Sequence, residues 1–86
     1  MVSKTTIVQN ATGLHARPAS LLSQFCKKYP AKITISGNGK DIDPKSIIAL
    51  LSCGLKKGTE ITVSVDGENE AAALDEIVSF IENLTD

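Results

Sequence analysis

Apolar and polar positions follow two different periods along the chain, and these periods divide it into strands and helices. A period of two, or a composition rich in β-branched residues, predicts strands at Val2–Gln9, Ala31–Ser36, Lys40–Asp43 and Glu60–Asp66. Apolar residues three or four positions apart predict three helices: one from Ala16 that Pro30 stops, a short one at Ile47–Cys53, and one from about Asn69 to Leu84. This order predicts an α+β domain in which a sheet of four strands buries one face under helices.

Smaller signals fix the ends of these elements. Asn38 lies between two glycines, which predicts a tight hairpin turn because Asn-Gly tolerates positive φ angles. Ser46 is a candidate N-cap of the short helix, and Gly54 is its predicted terminator. Asn10–Gly13 is predicted to be a turn. The apolar faces of the two longer helices are predicted to consist of Leu21, Leu22, Phe25, Cys26 and Tyr29, and of Leu74, Ile77, Val78 and Ile81.

Composition narrows the class of protein. A chain of 86 residues with 42% hydrophobic residues and no linker predicts one domain, residues 1–86, with one modest core. We expect neither a signal peptide nor a transmembrane segment. Cys26 and Cys53 have no metal-ligand spacing, so we interpret them as small buried hydrophobes of a cytoplasmic protein. A net charge of −1 and only three aromatic residues argue against nucleic-acid binding.

Candidate chemistry is concentrated at the start of the first helix. His15 and Arg17 are the only histidine and the only arginine of the chain, and Pro18 fits the first turn of a helix, where a residue without an N–H is tolerated. This placement leaves the backbone N–H groups of Ala16 and Arg17 free to bind an anion. A cation opposes the dipole at a helix N-terminus, and a phosphate held beside Arg17 would account for its position.

The same environment suits phosphoryl transfer. The helix N-terminus and Arg17 both disfavour the imidazolium form of His15, which keeps a lone pair available near neutral pH. The same donors would then stabilise a phosphoryl group on the ring, without a metal or any other cofactor. The alternative is that His15 only caps or packs against the helix start and that Arg17 is a solvated surface residue.

Two segments resemble one known family. Asn10–Ser20, with the sequence NATGLHARPAS, is similar to the active-site segment of HPr, the histidine phosphocarrier of the bacterial phosphoenolpyruvate:sugar phosphotransferase system. Lys45–Gly58, with the sequence KSIIALLSCGLKKG, resembles the second signature of that family, around its regulatory serine. The similarity extends over the whole chain and includes the order of the elements.

The resemblance implies an open-faced β-sandwich, with a four-stranded antiparallel sheet and three helices on one face (βαββαβα). It also implies that Enzyme I phosphorylates His15 on Nδ1, that Arg17 stabilises the phosphate, and that the group passes to sugar-specific IIA components. We expect a stoichiometric carrier rather than an enzyme, present as a monomer that forms transient complexes.

The short helix is a second candidate site. All residues of Ile47–Leu51 are apolar, yet a helix of about two turns buries only one stripe, so some of them are expected to face solvent. The alternative is a helix deep in the core. The resemblance implies that this helix forms much of the partner interface, and the candidate docking residues are Ile47, Ile48 and Leu51. Lys27 is a candidate for a positive rim that steers an acidic partner.

Ser46 has both a structural and a functional interpretation. As an N-cap it stabilises the helix, and a phosphoserine is also tolerated at this position. The resemblance implies phosphorylation by HPr kinase and binding to a catabolite-control transcriptional regulator, although kinase-sensitive members often carry Met where this chain has Ile48. A regulatory module acting mainly through phospho-Ser46 is therefore the alternative function. A small hydrolase is disfavoured because the motif contains no second acid/base group.

Overall fold

The computed structural model describes residues 1–9, 13 and 16–84, with Ala16 and Cys53 described by their backbone alone. The predicted turn at Asn10–Gly13 therefore lies, apart from Gly13, outside the described residues. The elements are β1 Val2–Ile7, α1 Ala16–Lys27, β2 Lys32–Gly37, β3 Lys40–Ile42, α2 Ile47–Cys53, β4 Glu60–Asp66 and α3 Glu70–Glu82. Their order is the predicted one, and each boundary falls within three residues of its predicted position.

The four strands form one antiparallel sheet in the order β1-β4-β2-β3. The predicted alternation sorts the two faces of the sheet. On one face, the central strands contribute the buried residues Ile33, Ile35, Ile61, Val63 and Val65. The other face carries hydroxyl pairs across β1 and β4, Ser3 with Ser64 at 2.9 Å and Thr5 with Thr62 at 3.3 Å. The sheet is thus apolar on the side that the helices cover and polar on the side that they leave open.

The helices complete the core over the apolar face. The predicted apolar residues of α3, Leu74, Ile77, Val78 and Ile81, are all buried, and Ala73 joins them. From α2 the core receives Leu50, and from the connecting segments Val8, Ala31 and Leu55. Together these elements confirm the predicted open-faced arrangement of a four-stranded sheet and three helices.

The predicted face of α1 was wrong in one respect. Leu21 is 40% exposed, whereas Ala19, Leu22 and Cys26 are fully buried. The buried residues follow an i, i+3, i+7 spacing, and Leu21 lies about 100° around the helix from Leu22. The helix also ends at Lys27, so that Tyr29 follows it.

Aromatic side chains join α1 to α3 beside the core. Phe25 stacks on Phe80 of α3 with ring centroids 4.3 Å apart, and its edge contact with Tyr29 has a centroid distance of 5.8 Å. The Tyr29 hydroxyl donates a hydrogen bond to the Glu76 carboxylate of α3. These contacts fasten the C-terminal end of α1 to α3.

The Tyr29–Glu76 bond predicts a pH dependence of stability. Burial, the bond to Glu76 and the negative charge of Glu76 raise the pKa of the Tyr29 phenol above its ordinary value. The unfolded chain therefore loses this proton first, and the free energy of unfolding should fall as the pH rises above about 10. Tyr29→Phe should remove this contribution when urea unfolding is compared at neutral and alkaline pH.

Tyrosinate absorbance provides a direct check, because Tyr29 is the only tyrosine of the chain. We expect its titration in the folded protein at a higher pH than in urea. Coincident titration curves would contradict the prediction.

Candidate functional site

The first turn of α1 begins where the sequence predicted it, and its role as an anion site stays a prediction. The helix begins at Ala16, Pro18 is buried in its first turn, and Arg17 is exposed. The first turn contains no acidic residue that would neutralise the helix dipole or pair with Arg17. His15 and Leu14 lie outside the described residues, so the predicted closeness of the imidazole and the guanidinium stays a prediction.

Gly13 fixes the backbone two residues before His15. It is buried and has a φ of +68°, in the left-handed region that favours glycine. A Cβ at this position would lie 2.8 Å from Cα of Lys56 and closer still to the carbonyl oxygen of Leu55. Gly13 therefore lies directly against the backbone that follows α2.

The caps of α2 are those that the sequence predicted. Ser46 is exposed and its Oγ accepts a hydrogen bond from the backbone N–H of Ala49 at 3.3 Å, so it is the N-cap. Gly54 ends the helix with a φ of +68°, and its carbonyl accepts a bond from the Asn38 side chain at 3.2 Å. The hairpin turn, with positive φ at Asn38 and Gly39, is also confirmed.

The exposed face of α2 is apolar. Ile48 is 76% exposed, while Ile47 and Leu51 are 38% and 37% exposed. Of the five apolar residues 47–51, only Leu50 is buried, so the alternative of a helix deep in the core is excluded. We call Ile47, Ile48 and Leu51 the α2 patch. Its exposure agrees with the prediction, and its docking role stays a prediction. Lys27, the candidate steering residue, is exposed in the last turn of α1.

Lys45 is a residue that the sequence analysis did not single out. Its Nζ donates hydrogen bonds to the carbonyl oxygens of Tyr29 at 2.8 Å and Ala31 at 3.0 Å. Its own carbonyl accepts a bond from the Oγ of Ser23 in α1, at 3.0 Å. Lys45 thus connects the start of α2 both to α1 and to the segment that follows α1. A lysine beside an N-cap has no sequence pattern that indicates such contacts.

Asp43 supports the same turn from the other side. Its carboxylate accepts a bond from the backbone N–H of Lys45 at 2.9 Å, and its carbonyl accepts one from the backbone N–H of Ser46 at 3.0 Å. The position of Ser46 is therefore fixed by its neighbours on both the backbone and the side-chain level.

Removing the Ser46 hydroxyl should destabilise the fold moderately. Ser46→Ala loses the cap of α2, which typically costs about 1 kcal/mol, whereas Ser46→Asp keeps an acceptor and should stay close to wild type. Urea unfolding measures the difference. Ser52→Ala is the matched control, because its Oγ only donates to the Ala49 carbonyl within the helix, at 3.1 Å. Equal losses in Ser46→Ala and Ser52→Ala would contradict the capping role.

The described part of the chain gives little support for metal binding or for a reactive cysteine. It contains no group of three or more His, Cys, Asp or Glu side chains that could hold a metal ion. Cys26 is a free, buried cysteine, as expected, and burial raises the pKa of its thiol to about 12, which makes it a poor nucleophile. The side chain of Cys53 lies outside the described residues. None of the helices described has the length and hydrophobicity needed to span a bilayer.

Comparisons with known proteins agree with this geometry. Residues 2–83 match the family model described as "PTS HPr component phosphorylation site". The HPr-like protein Crh of Halalkalibacterium halodurans is 38% identical over 82 residues, which cover 95% of this chain and 98% of that protein. The phosphocarrier protein HPr of Borreliella burgdorferi is 36% identical over 83 residues, 96% of each chain.

A solved structure shows the same fold. The crystal structure of HPr-C-His from Thermoanaerobacter tengcongensis superposes with a TM-score of 0.90 at 35% sequence identity, covering 95% of this chain and 92% of that one. The sequence matches and the shared fold lead to one conclusion. The chain belongs to the HPr family of phosphocarriers of the phosphotransferase system.

Proposed function

We propose that residues 1–86 form one phosphocarrier domain that accepts a phosphoryl group on His15 from phospho-Enzyme I and passes it to sugar-specific IIA components in sugar uptake. The observation that carries the proposal is the start of α1 directly after His15, with Arg17 exposed in a first turn that contains no acid. Membership of the HPr family supplies the reaction class, and Thr12–Pro18 of this chain, with the sequence TGLHARP, contains the histidine that such a carrier needs.

The proposed reaction needs only groups that this segment supplies. The neutral imidazole of His15 attacks phosphorus through the Nδ1 lone pair, and the bond to the donor breaks with its electron pair returning to the donor. The backbone N–H groups of Ala16 and Arg17, with the Arg17 guanidinium, would stabilise the charge on the phosphoryl oxygens. In the transfer to the next protein, a nucleophile of that protein attacks phosphorus, and the bond to Nδ1 breaks with its electron pair returning to the imidazole.

The α2 patch is the proposed docking surface for both partners. Its three exposed apolar residues lie on a helix that packs against α1, which carries Arg17 and Lys27. The backbone of Leu55 and Lys56, which follows α2, lies against Gly13, two residues before the proposed phosphorylation site. The positive charge of Lys27 favours an acidic partner. We further propose a cytoplasmic protein that is monomeric between encounters.

The test is incubation with phosphoenolpyruvate and Enzyme I, followed by intact-mass measurement and acid treatment. We expect one added phosphoryl group that is lost in acid, as a phosphoramidate is. An acid-stable adduct, or none, would contradict transfer through His15.

Regulation through Ser46 is the second proposed function. Ser46 is exposed and adjoins the α2 patch, so a phosphoserine there would add about two negative charges next to a docking surface without displacing the helix cap. We propose that HPr kinase is the donor and that a catabolite-control transcriptional regulator is the partner. In the alternative already named, this regulatory role is the main one.

Incubation with ATP and HPr kinase separates the two functions. We expect an acid-stable phosphate that is absent in Ser46→Ala and present in Ser52→Ala. If no acid-stable phosphate forms on the folded wild-type protein, the regulatory proposal fails while the carrier proposal stands.

A further inference from the structure

A groove between α1 and α3 takes no part in the proposed phosphoryl transfer. Its floor is apolar and consists of Leu21 and Phe25 from α1, with Phe80 and Leu84 from α3 and the segment that follows it. The stacked rings of Phe25 and Phe80 hold the two walls together. Leu21 remains 40% exposed at one edge of the groove, although it is a large apolar side chain.

The rim of the groove is charged, and its acids stand on α3. Asp75 and Glu76 line the α3 wall, and both are exposed. Glu76 accepts the bond from Tyr29. On the α1 side, Lys28 lies over the Phe25 ring at 4.1 Å from the centroid. The rim therefore carries two carboxylates and one ammonium group, and its net charge is negative.

The groove belongs to the acidic end of a polarised chain. Residues 67–86 contain six acidic residues and no Lys or Arg, and all nine basic residues lie in residues 1–66. The α2 patch is the proposed surface for acidic partners, whereas the α3 wall of the groove lies in this acidic part of the chain. A single partner surface therefore does not complement both the α2 patch and the groove.

The dipole of α3 adds to this negative potential. The groove follows the second half of α3 as far as Asn83, where the helix ends. The last turn contains no basic residue and includes Glu82, so within the helix itself no cation neutralises the negative end of the dipole. A cation supplied by a partner would be favoured at this end of the groove.

The shape of the groove suits a helix. The lining residues extend from Leu21 to Lys28 on one side and from Asp75 to Leu84 on the other, so the groove is about 10 to 14 Å long, or roughly two helical turns. A third helix laid between two others buries anchors at positions i, i+3 or i+4, and i+7. Such anchors would cover Leu21 and the exposed edges of the two phenylalanine rings.

We propose that this groove docks an amphipathic, basic helix of a partner protein, with apolar anchors on its floor and Lys or Arg side chains against Asp75 and Glu76. The partner class differs from the acidic proteins that the α2 patch favours. The proposal does not depend on His15 or Ser46, because none of its residues belongs to the phosphoryl-transfer site.

The test uses a synthetic peptide of three to four helical turns with Leu at the anchor positions and Lys at the flanking ones. It is titrated into the ¹⁵N-labelled full chain and followed by amide chemical shifts. We expect saturable shifts centred on Leu21, Phe25, Asp75 and Phe80. A peptide with Glu in place of Lys, and one with the same residues in scrambled order, should bind at least about ten-fold more weakly.

Two substitutions locate the contact. Asp75→Lys and Leu21→Ser should each weaken binding about ten-fold, because one reverses a rim charge and the other removes an anchor. Glu60→Lys is the matched control: it makes the same change of charge at an exposed position of β4, and affinity should stay within about two-fold.

Three results would overturn the proposal. They are equal binding of the scrambled or Glu peptide, shifts centred on the α2 patch instead of the groove, and affinity that Asp75→Lys leaves unchanged. A fourth result, self-association of the chain that Asp75→Lys abolishes in sedimentation experiments, would make a second copy the occupant and would equally reject a basic partner helix.

Discussion

His15→Ala is expected to take up no phosphoryl group from phosphoenolpyruvate and Enzyme I, with the rate falling to the background of the assay. Alanine has no lone pair to attack phosphorus, and the chain contains no second histidine to replace it. The measurement is intact mass over time after mixing, compared with wild type under the same conditions.

Arg17→Ala tests the stabilising role of the guanidinium separately from the nucleophilic role of His15. The guanidinium is exposed and forms no ion pair in the described structure, so its removal should leave the free energy of unfolding within about 0.5 kcal/mol of wild type. We expect transfer to slow by at least about ten-fold, because the phosphoryl charge loses a bidentate donor. A wild-type rate in Arg17→Ala would remove this residue from the mechanism. Acid-labile phosphate on the His15→Ala variant would show that His15 is not the phosphorylated residue.

Gly13→Ala is expected to cause the largest loss of stability among these variants, about 2–4 kcal/mol. The new Cβ would meet the Leu55 carbonyl oxygen and Cα of Lys56, both backbone atoms that cannot turn aside as a side chain does. The positive φ adds a steric cost of its own. Urea unfolding measures the loss, and the rate of phosphoryl uptake should fall as well, because the displaced segment leads to His15.

Gly39→Ala is the matched control for this substitution. Its φ of +75° is close to the +68° of Gly13, but a Cβ at Gly39 would have no atom within 4 Å. The control therefore carries the backbone cost without the clash, about 1 kcal/mol. If both variants lose the same stability, the contact between the Gly13 segment and Leu55–Lys56 contributes nothing.

Most of the fold was predictable because local pattern and tertiary environment agree. In β4 the alternation of apolar with hydroxyl residues predicts that Ile61, Val63 and Val65 are buried, and the structure agrees. In α2 the prediction of exposed apolar residues rested on their number. A two-turn helix cannot bury five consecutive apolar residues, so some of them were expected to face solvent. Ser46 and Gly54 were found by their capping chemistry, which depends only on nearby residues.

What could not be predicted depends on contacts between distant segments. Leu21 was assigned to the apolar face of α1 by its helical spacing, but the orientation of the helix leaves it partly exposed at the groove edge. The close approach of Gly13 to Leu55 and the bonds of Lys45 to Tyr29 and Ala31 join residues that are far apart or of unremarkable type. Spacing along the chain carries no signal for such contacts.

The bonds of Lys45 have a consequence for signalling between the two candidate phosphorylation sites. The ammonium group is engaged by two carbonyl oxygens, so it is not available to swing towards a phosphate on the neighbouring Ser46. A phosphoserine there would keep its full charge facing outward, and α2 would not reorient relative to α1. A partner would then sense the modification through electrostatic repulsion on an unchanged surface, and rising ionic strength would weaken the signal.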